Sequence, residues 1–268
     1  MVKGIERVFR IMKLLGIGDK CTDVFVYGSV DRVCPEAPVC VLKSDRQTEN
    51  PGMAGNVYVN INKINKSFFK EKFDTELISN SNQIYKTRYV DEKSNQMLLR
   101  VDSHDYSDER FDPSILKENY DAIVVADYNK GFLTEEDLQL ISEIAPYTFI
   151  DTKKNFGDWI LGYSFIKINE KEWNETSNWK KIDEIKDKCI VTLGSEGARI
   201  GDRIIPIVSP VEVRDLSGAG DTFMSAFSLW YLDKVNTTDY VEELIDSSIR
   251  FANQMASRVV SHQGVTTP

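Results

Sequence analysis

The sequence predicts an α/β fold around a mainly parallel sheet, and three observations carry that expectation. Ala122–Ala126 (AIVVA) and Cys189–Leu193 (CIVTL) are short continuous apolar runs, the pattern of strands buried on both faces. Helically patterned segments, Thr134–Ile144, Ser217–Leu232 and Val241–Val260, alternate with such runs, and alternation of this kind lays helices over a parallel sheet. The N-terminal part is β-rich and irregular, which sets a small separate sheet against the α/β body.

Taken in order, Lys13–Gly18 reads as an apolar strand ending in Gly-Asp. Val24–Lys43 is rich in Val and Tyr with Pro35 and Pro38, so it reads as extended chain at an edge, because proline cannot donate to a ladder. Glu49–Asn56 reads as a Gly-rich turn and Val57–Ile64 as the start of a helix, whereas Lys63–Asn82 is polar and carries no clear pattern. Tyr85–Val101 reads as two strands around a turn at Asp91–Ser94. Thr134 is placed to cap the next helix, with Asp137 three residues on. Thr148–Asp151 and Ser164–Asn169 read as further strands, and Ile204–Val213 as β-rich chain with two prolines. No repeat or linker divides the chain, so one domain over 1–268 is expected.

The composition narrows the function classes. The chain has 268 residues and a formal net charge of −9, which argues against a broad nucleic-acid surface while leaving room for a small phosphorylated ligand. No run approaches the ~18 apolar residues of a membrane helix, and the charged stretch Met1–Leu15 lacks the apolar core of a signal peptide. A cytoplasmic location with reduced thiols follows as an expectation. Cys21, Cys34, Cys40 and Cys189 form no C-x-x-C pair, and His104 and His262 stand far apart. That pattern speaks against a zinc site and a Ser-His-Asp hydrolase.

The segment from Asp215 to Phe223 (DLSGAGDTF) carries the strongest chemical signal. Gly218, Ala219 and Gly220 lack bulk, so their N–H groups can approach an anion, and a helix start adds its positive end. A carboxylate at Asp221 can then accept the proton of an alcohol while those N–H groups hold a phosphoryl group. The plainer reading is a Gly-rich turn with Asp221 as a favourable first-turn anion.

This segment resembles the D-T-x-G-A-G-D signature of the ribokinase-like, or PfkB, carbohydrate kinases, departing at Leu216-Ser217. Gly18-Asp19 with Asp23 and Gly28, then Arg32–Val39 (RVCPEAPV), resembles the opening of the D-glycero-β-D-manno-heptose-7-phosphate kinases. Pro51–Val57, Thr87-Arg88, Gln96–Asp102, Asp127–Gly131, Asp151–Lys153 and Asn169–Glu172 resemble further motifs of that branch in order. Phe251-Ala-Asn253 and Gly264–Thr267 stand where the family has its last nucleotide-side helix and tail.

The resemblance implies a ribokinase-like fold: a central mainly parallel sheet with helices on both faces and a small β lid from residues 24–52 and 85–101. It implies ATP as donor with Mg²⁺, a sugar phosphate as acceptor, and a homodimer paired through the lids. Asp221 is expected as the base beside the Gly218-Ala219-Gly220 anion site. Asp23, Asn56, Gly52, Arg88, Arg100, Lys130 and Lys153 are expected on the acceptor. Asn169, Glu172, Thr192, Gly194, Gly197 and Asn253 are expected on the nucleotide side, with Glu172 reaching Mg²⁺ through water. Each has a plainer reading as cap, turn residue or solvated charge.

Two departures bear on the acceptor. Met53 replaces the second glycine of the family's sugar-side turn. Asn65–Ser81 shows no pattern of the strand, Gly-x-Asp loop and helix usual there, so a βα piece is expected to be missing. The chain also ends without room for the nucleotidyltransferase fused to some heptose kinases, so kinase activity alone is expected. Phosphorylation of a heptose 7-phosphate at its anomeric hydroxyl is the favoured reading, for a lipopolysaccharide or surface-glycan precursor. A kinase for another sugar, or a catalytically degenerate binding protein, remains the alternative.

Overall fold

The computed structural model describes residues 10–116, 119–176, 178–208, 212–213, 216–261 and 267–268. Asp215 and most of the Gly264–Thr267 tail therefore lie outside the described residues. The main sheet has eight strands in the order β12-β11-β10-β9-β8-β7-β1-β4. They are β1 Met12–Gly18, β4 Phe73–Ser79, β7 Ala122–Asp127, β8 Tyr147–Thr152, β9 Phe165–Asn169, β10 Cys189–Thr192, β11 Ala198–Ile200 and β12 Arg203–Ile205. Pairing is parallel from β4 through β10 and antiparallel only at the β10-β11-β12 edge.

The continuous apolar runs are explained by burial on both faces. Leu14, Ala122, Val124, Phe149 and Phe165 pack on the side of α1 (Ala54–Phe68), α4 (Ala219–Lys234) and α5 (Val241–Val260). Leu15, Ile17, Ile123, Val125, Ile150, Ile166 and Ile168 pack on the other side, against Leu138 and Ile141 of α2 (Glu135–Ile144). Neighbouring residues thus divide between two cores with the period of two a strand imposes. Thr134 caps α2 in a reciprocal capping box with Asp137, as its spacing predicts. The short helix α3, Glu170–Thr176, follows β9.

The second sheet has four strands in the order β3-β2-β5-β6: β2 Lys20–Val33, β3 Cys40–Met53, β5 Tyr85–Asp91 and β6 Gln96–Ser103. It is slightly larger than the lid expected from the sequence. Four expectations need correction. Glu49–Met53 is strand, not turn, because β3 stays paired with β2 through Met53↔Lys20. Residues 34–39 between β2 and β3 bend at Pro35–Pro38, so the extended chain expected over Val24–Lys43 is broken by an exposed hairpin end. The polar stretch 63–82 ends α1 and then forms β4, whose Ile78 is buried at the sheet edge beside β1. The strand of the supposedly missing piece is therefore present. Its sequence hid it because an edge strand buries little of either face. Among the described residues no helix lies between β4 and β5, and the chain runs from one sheet directly to the other. Ile204–Val213 contributes strand only to Ile205 among the described residues.

Candidate active site

Functional side chains gather at the carboxyl ends of the parallel strands, where open α/β sheets bind ligands. The turn after β1 supplies Asp19, which is fully buried. Its carboxylate accepts from the backbone N–H groups of Tyr128 (2.8 Å), Lys130 (3.1 Å) and Phe132 (3.2 Å). Burial raises the Asp19 pKa. One carboxylate thereby fixes the loop after β7 that presents Tyr128 and Lys130.

Asp221 opens the first turn of α4, behind the N-cap Gly218 at φ 79°. Its carboxylate is buried and receives two donors. Asn56 Nδ2 donates to Oδ2 at 2.7 Å, and Tyr128 Oη donates to Oδ1 at 2.6 Å. Burial pushes its pKa up to about 6 against the pull of those two hydrogen bonds. Asn56 is itself oriented, since Asn60 Nδ2 donates to its Oδ1 at 3.1 Å and Thr222 Oγ1 donates to Asn60 Oδ1 at 3.0 Å. This buried amide chain ties α1 to α4.

Beside the α4 start stands Lys167. A Cβ on Gly220 would lie 2.7 Å from Lys167 Nζ, so the missing side chain is what lets the ammonium reach the helix N-terminus. Lys167 pairs with Asp151 at 2.6 Å with both side chains 5% exposed. Burial acts to raise the Asp151 pKa, but the Lys167 and Lys153 ammoniums outweigh it and hold it below the usual value. Lys153 also pairs with Glu172, and its pKa is pushed up by Asp151 and Glu172 against desolvation. An ammonium, a helix N-terminus and the small residues Gly218, Ala219 and Gly220 together can hold a transferring anion.

Asn169 and Glu172 cap α3 reciprocally, each side chain accepting from the other's backbone N–H at 2.9 Å. Glu172 thus spends both oxygens on Lys153 and Asn169. Such a carboxylate suits a magnesium ion reached through water rather than one bound directly. Among the described residues no cluster of three His, Cys, Asp or Glu side chains could hold a metal by itself.

Thr192, Gly194, Gly197 and Asn253 line one cavity of about 370 Å³ together with Ala219, Gly220 and Phe223. Its walls are largely apolar, with Ile207, Val213, Leu216 and Val260 on them. Ala219 and Gly220 on its wall join it to the start of α4. Asn253 lines it while its Nδ2 donates to the Ile205 carbonyl at 3.0 Å, tying α5 to β12.

The lid closes the other side. Register pairs Asp23 with Lys86 and Lys86 with Asp102, then Phe25 with Arg88 and Arg88 with Arg100, so these rows share one face. Asp23 is buried and bonds to Arg88. Gly52 is required there, since its Cβ would fall 2.2 Å from Asp23 Oδ2 and 2.5 Å from Cys21 Sγ. Met53 adopts φ 56° and buries its side chain with Cys21 and Ile84, against Tyr128. A methionine so placed fills space at the acceptor side and holds a backbone conformation suited to glycine.

The expected acceptor cations are thus near the site, but each has an acidic partner. Arg88 has Asp23, Arg100 has Asp102, Lys130 has Asp105, and Lys153 has Glu172 and Asp151. Sequence reasoning passed over Lys86, Tyr128 and Lys167. Lys86 is 8% exposed, and among the described residues its ammonium has no ion pair or hydrogen bond. Burial lowers its pKa, as do Arg100 and Lys130 nearby, against Cys21 and Asp23, which raise it. The period-two spacing of Lys86 and Arg88 was a usable signal. So was Lys167, a lone lysine inside the apolar strand FIKIN.

The profile of the pfkB family carbohydrate kinases matches residues 90–268. The chain belongs to that family. It is 29% identical over 303 aligned residues to the bifunctional protein HldE of Aliarcobacter butzleri, covering 95% of this chain and 62% of that protein. The HldE protein of Nitratiruptor sp. gives 29% identity, with 95% and 63% covered. The chain therefore spans less than two thirds of these relatives. Aligned stretches longer than the chain's own 268 residues mean that they carry insertions absent here. Among solved structures, ribokinase from Thermotoga maritima superposes with a TM-score of 0.67 at 15% identity, covering 95% of this chain and 94% of that one. Phosphofructokinase-2 from Escherichia coli gives 0.65 at 15% identity, with 96% and 94% covered. The fold is ribokinase-like.

Proposed function

We propose that this protein transfers the γ-phosphoryl group of ATP to a phosphorylated sugar, with the anomeric hydroxyl of D-glycero-β-D-manno-heptose 7-phosphate as acceptor and the 1,7-bisphosphate as product. The observation that carries the reading is Lys86, a side chain 8% exposed with no ion pair among the described residues, on the lid face that also bears Arg88 and Arg100. A cation on a mostly buried side chain with no ion pair of its own favours an anionic ligand. The resemblance of Arg32–Val39 and Pro51–Val57 to the heptose-7-phosphate kinases favours a heptose phosphate as that ligand.

In this reading the adenine and ribose enter the cavity lined by Thr192, Gly194, Gly197 and Asn253, and the γ-phosphoryl meets Gly218–Gly220 and Lys167. Asp221 takes the acceptor proton, Asn56 holds that carboxylate in place, and Asp23 accepts from sugar hydroxyls. Magnesium, when bound, supplies charge neutralisation on the phosphates, with Glu172 reaching it through water. The protein's contribution is positioning and charge stabilisation.

A homodimer paired through the lids belongs to the same proposal. The lid face opposite Asp23 carries Leu99 and Val101 at 56% and 39% exposure, and the hairpin end carries Val33 and Val39 at 66% and 56%. The proposal also places the enzyme in the cytoplasm, as a kinase acting early in building a surface glycan. None of the helices among the described residues is long and apolar enough to cross a membrane.

Incubation with ATP and a panel of free and phosphorylated sugars tests the proposal. The expected result is ADP formation with the heptose 7-phosphate, at least tenfold slower with the unphosphorylated heptose, since one charge-assisted contact is worth about 1.5–3 kcal/mol. Turnover of a different sugar would favour the second reading, a kinase of other specificity, for which Met53 and the missing helix after β4 speak. Tight binding without turnover of any sugar would leave the binding-protein reading.

A further inference from the structure

Both oxygens of Asp221 are already occupied, by Asn56 at 2.7 Å and Tyr128 at 2.6 Å. A base must accept a hydrogen bond from the hydroxyl it deprotonates; each oxygen keeps a second lone pair, but at a carboxylate only 6% exposed an incoming hydroxyl gains its place most directly where a donor now sits. Asn56 cannot leave cheaply. It lies in the first turn of α1, 3% exposed, with its own oxygen held by Asn60. Tyr128 sits on the loop after β7, is only partly buried, and bonds Asp221 by its hydroxyl alone.

We propose that the Tyr128 hydroxyl holds, in the ligand-free protein, the place that the acceptor hydroxyl takes during reaction, so that it keeps water off Asp221 until the sugar displaces it. The functional half of this proposal rests on the kinase reading above. A base left facing water beside a bound nucleoside triphosphate would activate that water and hydrolyse the triphosphate. A phenol in its place is a poor nucleophile, and burial and the nearby Asp221 charge keep it protonated. Tyr128 therefore acts as a positioning residue.

The surroundings supply a reason for it to yield. Lys86 Nζ lies 5.3 Å from the Tyr128 ring centroid, and Lys153 Nζ lies 5.6 Å from it. Both contacts favour the ring where it stands. An anionic acceptor that draws the Lys86 ammonium to its own phosphate removes one of them. Binding of the correct sugar then loosens the group that blocks the base, whereas a neutral sugar leaves the block in place.

The test is Tyr128→Phe, which keeps the ring packing and deletes the hydroxyl. Two readouts need no sugar turnover. ATP hydrolysis without sugar is expected to rise at least about tenfold over the wild type. The Asp221 carboxyl, followed by carbon NMR in the ligand-free protein, is expected to titrate at higher pH, because a hydrogen bond that lowers its pKa is lost. The other groups facing it stay unchanged: Asn56 on α1, Asp151 on β8, Lys167 on β9 and Cys21 on β2. With sugar, the acceptor KM is expected to fall several-fold. Sugar-free hydrolysis at the wild-type level overturns the proposal even if the Asp221 titration moves, since Tyr128 would then be a hydrogen-bond donor and no more. An unmoved titration overturns it as well. A wild type that phosphorylates no sugar refutes the proposed function, and the two sugar-free readouts still decide the role of Tyr128.

Discussion

Asp221 combines a cost and a use at one carboxylate. Its pKa of about 6 lies above the ordinary 3.8, so the folded protein binds this proton more tightly than the unfolded chain. The cost of its charge is fully present above about pH 6 and is relieved as pH falls toward 3.8. Asp221→Asn should therefore raise unfolding free energy at pH 8, by up to about 3 kcal/mol, while lowering kcat at least about 100-fold. Chemical denaturation and a coupled ADP assay measure the two, and a destabilised variant with normal turnover would remove Asp221 from the role of base. Wild-type turnover should likewise fall on the acid side with a midpoint near pH 6. Lys86→Met separates the acceptor from the nucleotide. It should raise the KM for a phosphorylated acceptor more than tenfold and leave the KM for ATP unchanged.

At the scale of elements, the site depends on how α1 and α4 are knitted and on how closely β9 approaches α4. Asn60→Leu leaves Thr222 Oγ1 without its acceptor and Asn56 Oδ1 without its donor. Urea unfolding should show a loss of about 1–3 kcal/mol for each buried group left unpaired. Gly220→Ala places a methyl against Lys167 Nζ, the far end of a flexible side chain. The fold should survive with a small change in Tm, while turnover falls because the ammonium is moved off the helix start. Legibility followed burial at this scale. The interior strands β7 and β10 and the helices α2 and α5 were readable because their apolar periods are uninterrupted. The edge strand β4 was not, since only Phe73 and Ile78 of its seven residues are buried. The residues of the G-A-G-D turn were readable as a chemical motif. The partners that tune it, Tyr128 and Lys167, come from other strand ends, and only the sheet order β9-β8-β7-β1 shows that they converge.

At the scale of the molecule, two halves of different character meet over the strand ends. One half is a largely apolar cavity, which the proposal gives to the nucleotide, and the other is a polar, charge-paired lid, which it gives to the acceptor. The motifs suggest such a division, but they give no sign that every expected acceptor cation is already paired. Alternating charges along separate strands give no hint of who faces whom across a sheet. If the lids pair, Leu99→Lys with Val101→Glu should convert the dimer to monomers in sedimentation velocity. It should also raise the acceptor KM while leaving ATP affinity unchanged. Monomeric wild-type protein at micromolar concentration would exclude the lid pairing.

The hydrogen bond between Asn56 and Asp221 joins residues 165 positions apart. During synthesis the acceptor half is made first, and the carboxylate that would activate its hydroxyl arrives last. At rates of about 5–20 residues per second, that interval is roughly 8–33 s. For this time the emerging chain holds neither the Gly218–Gly220 turn nor the carboxylate, and Val57, Ile61 and Ile64 of α1 lack the apolar cover of Phe223, Met224 and Phe227. A nascent or prematurely ended chain thus has no means of spending ATP. Ribosome-stalled chains of graded length should show phosphoryl transfer only once α4 and α5 are free to dock.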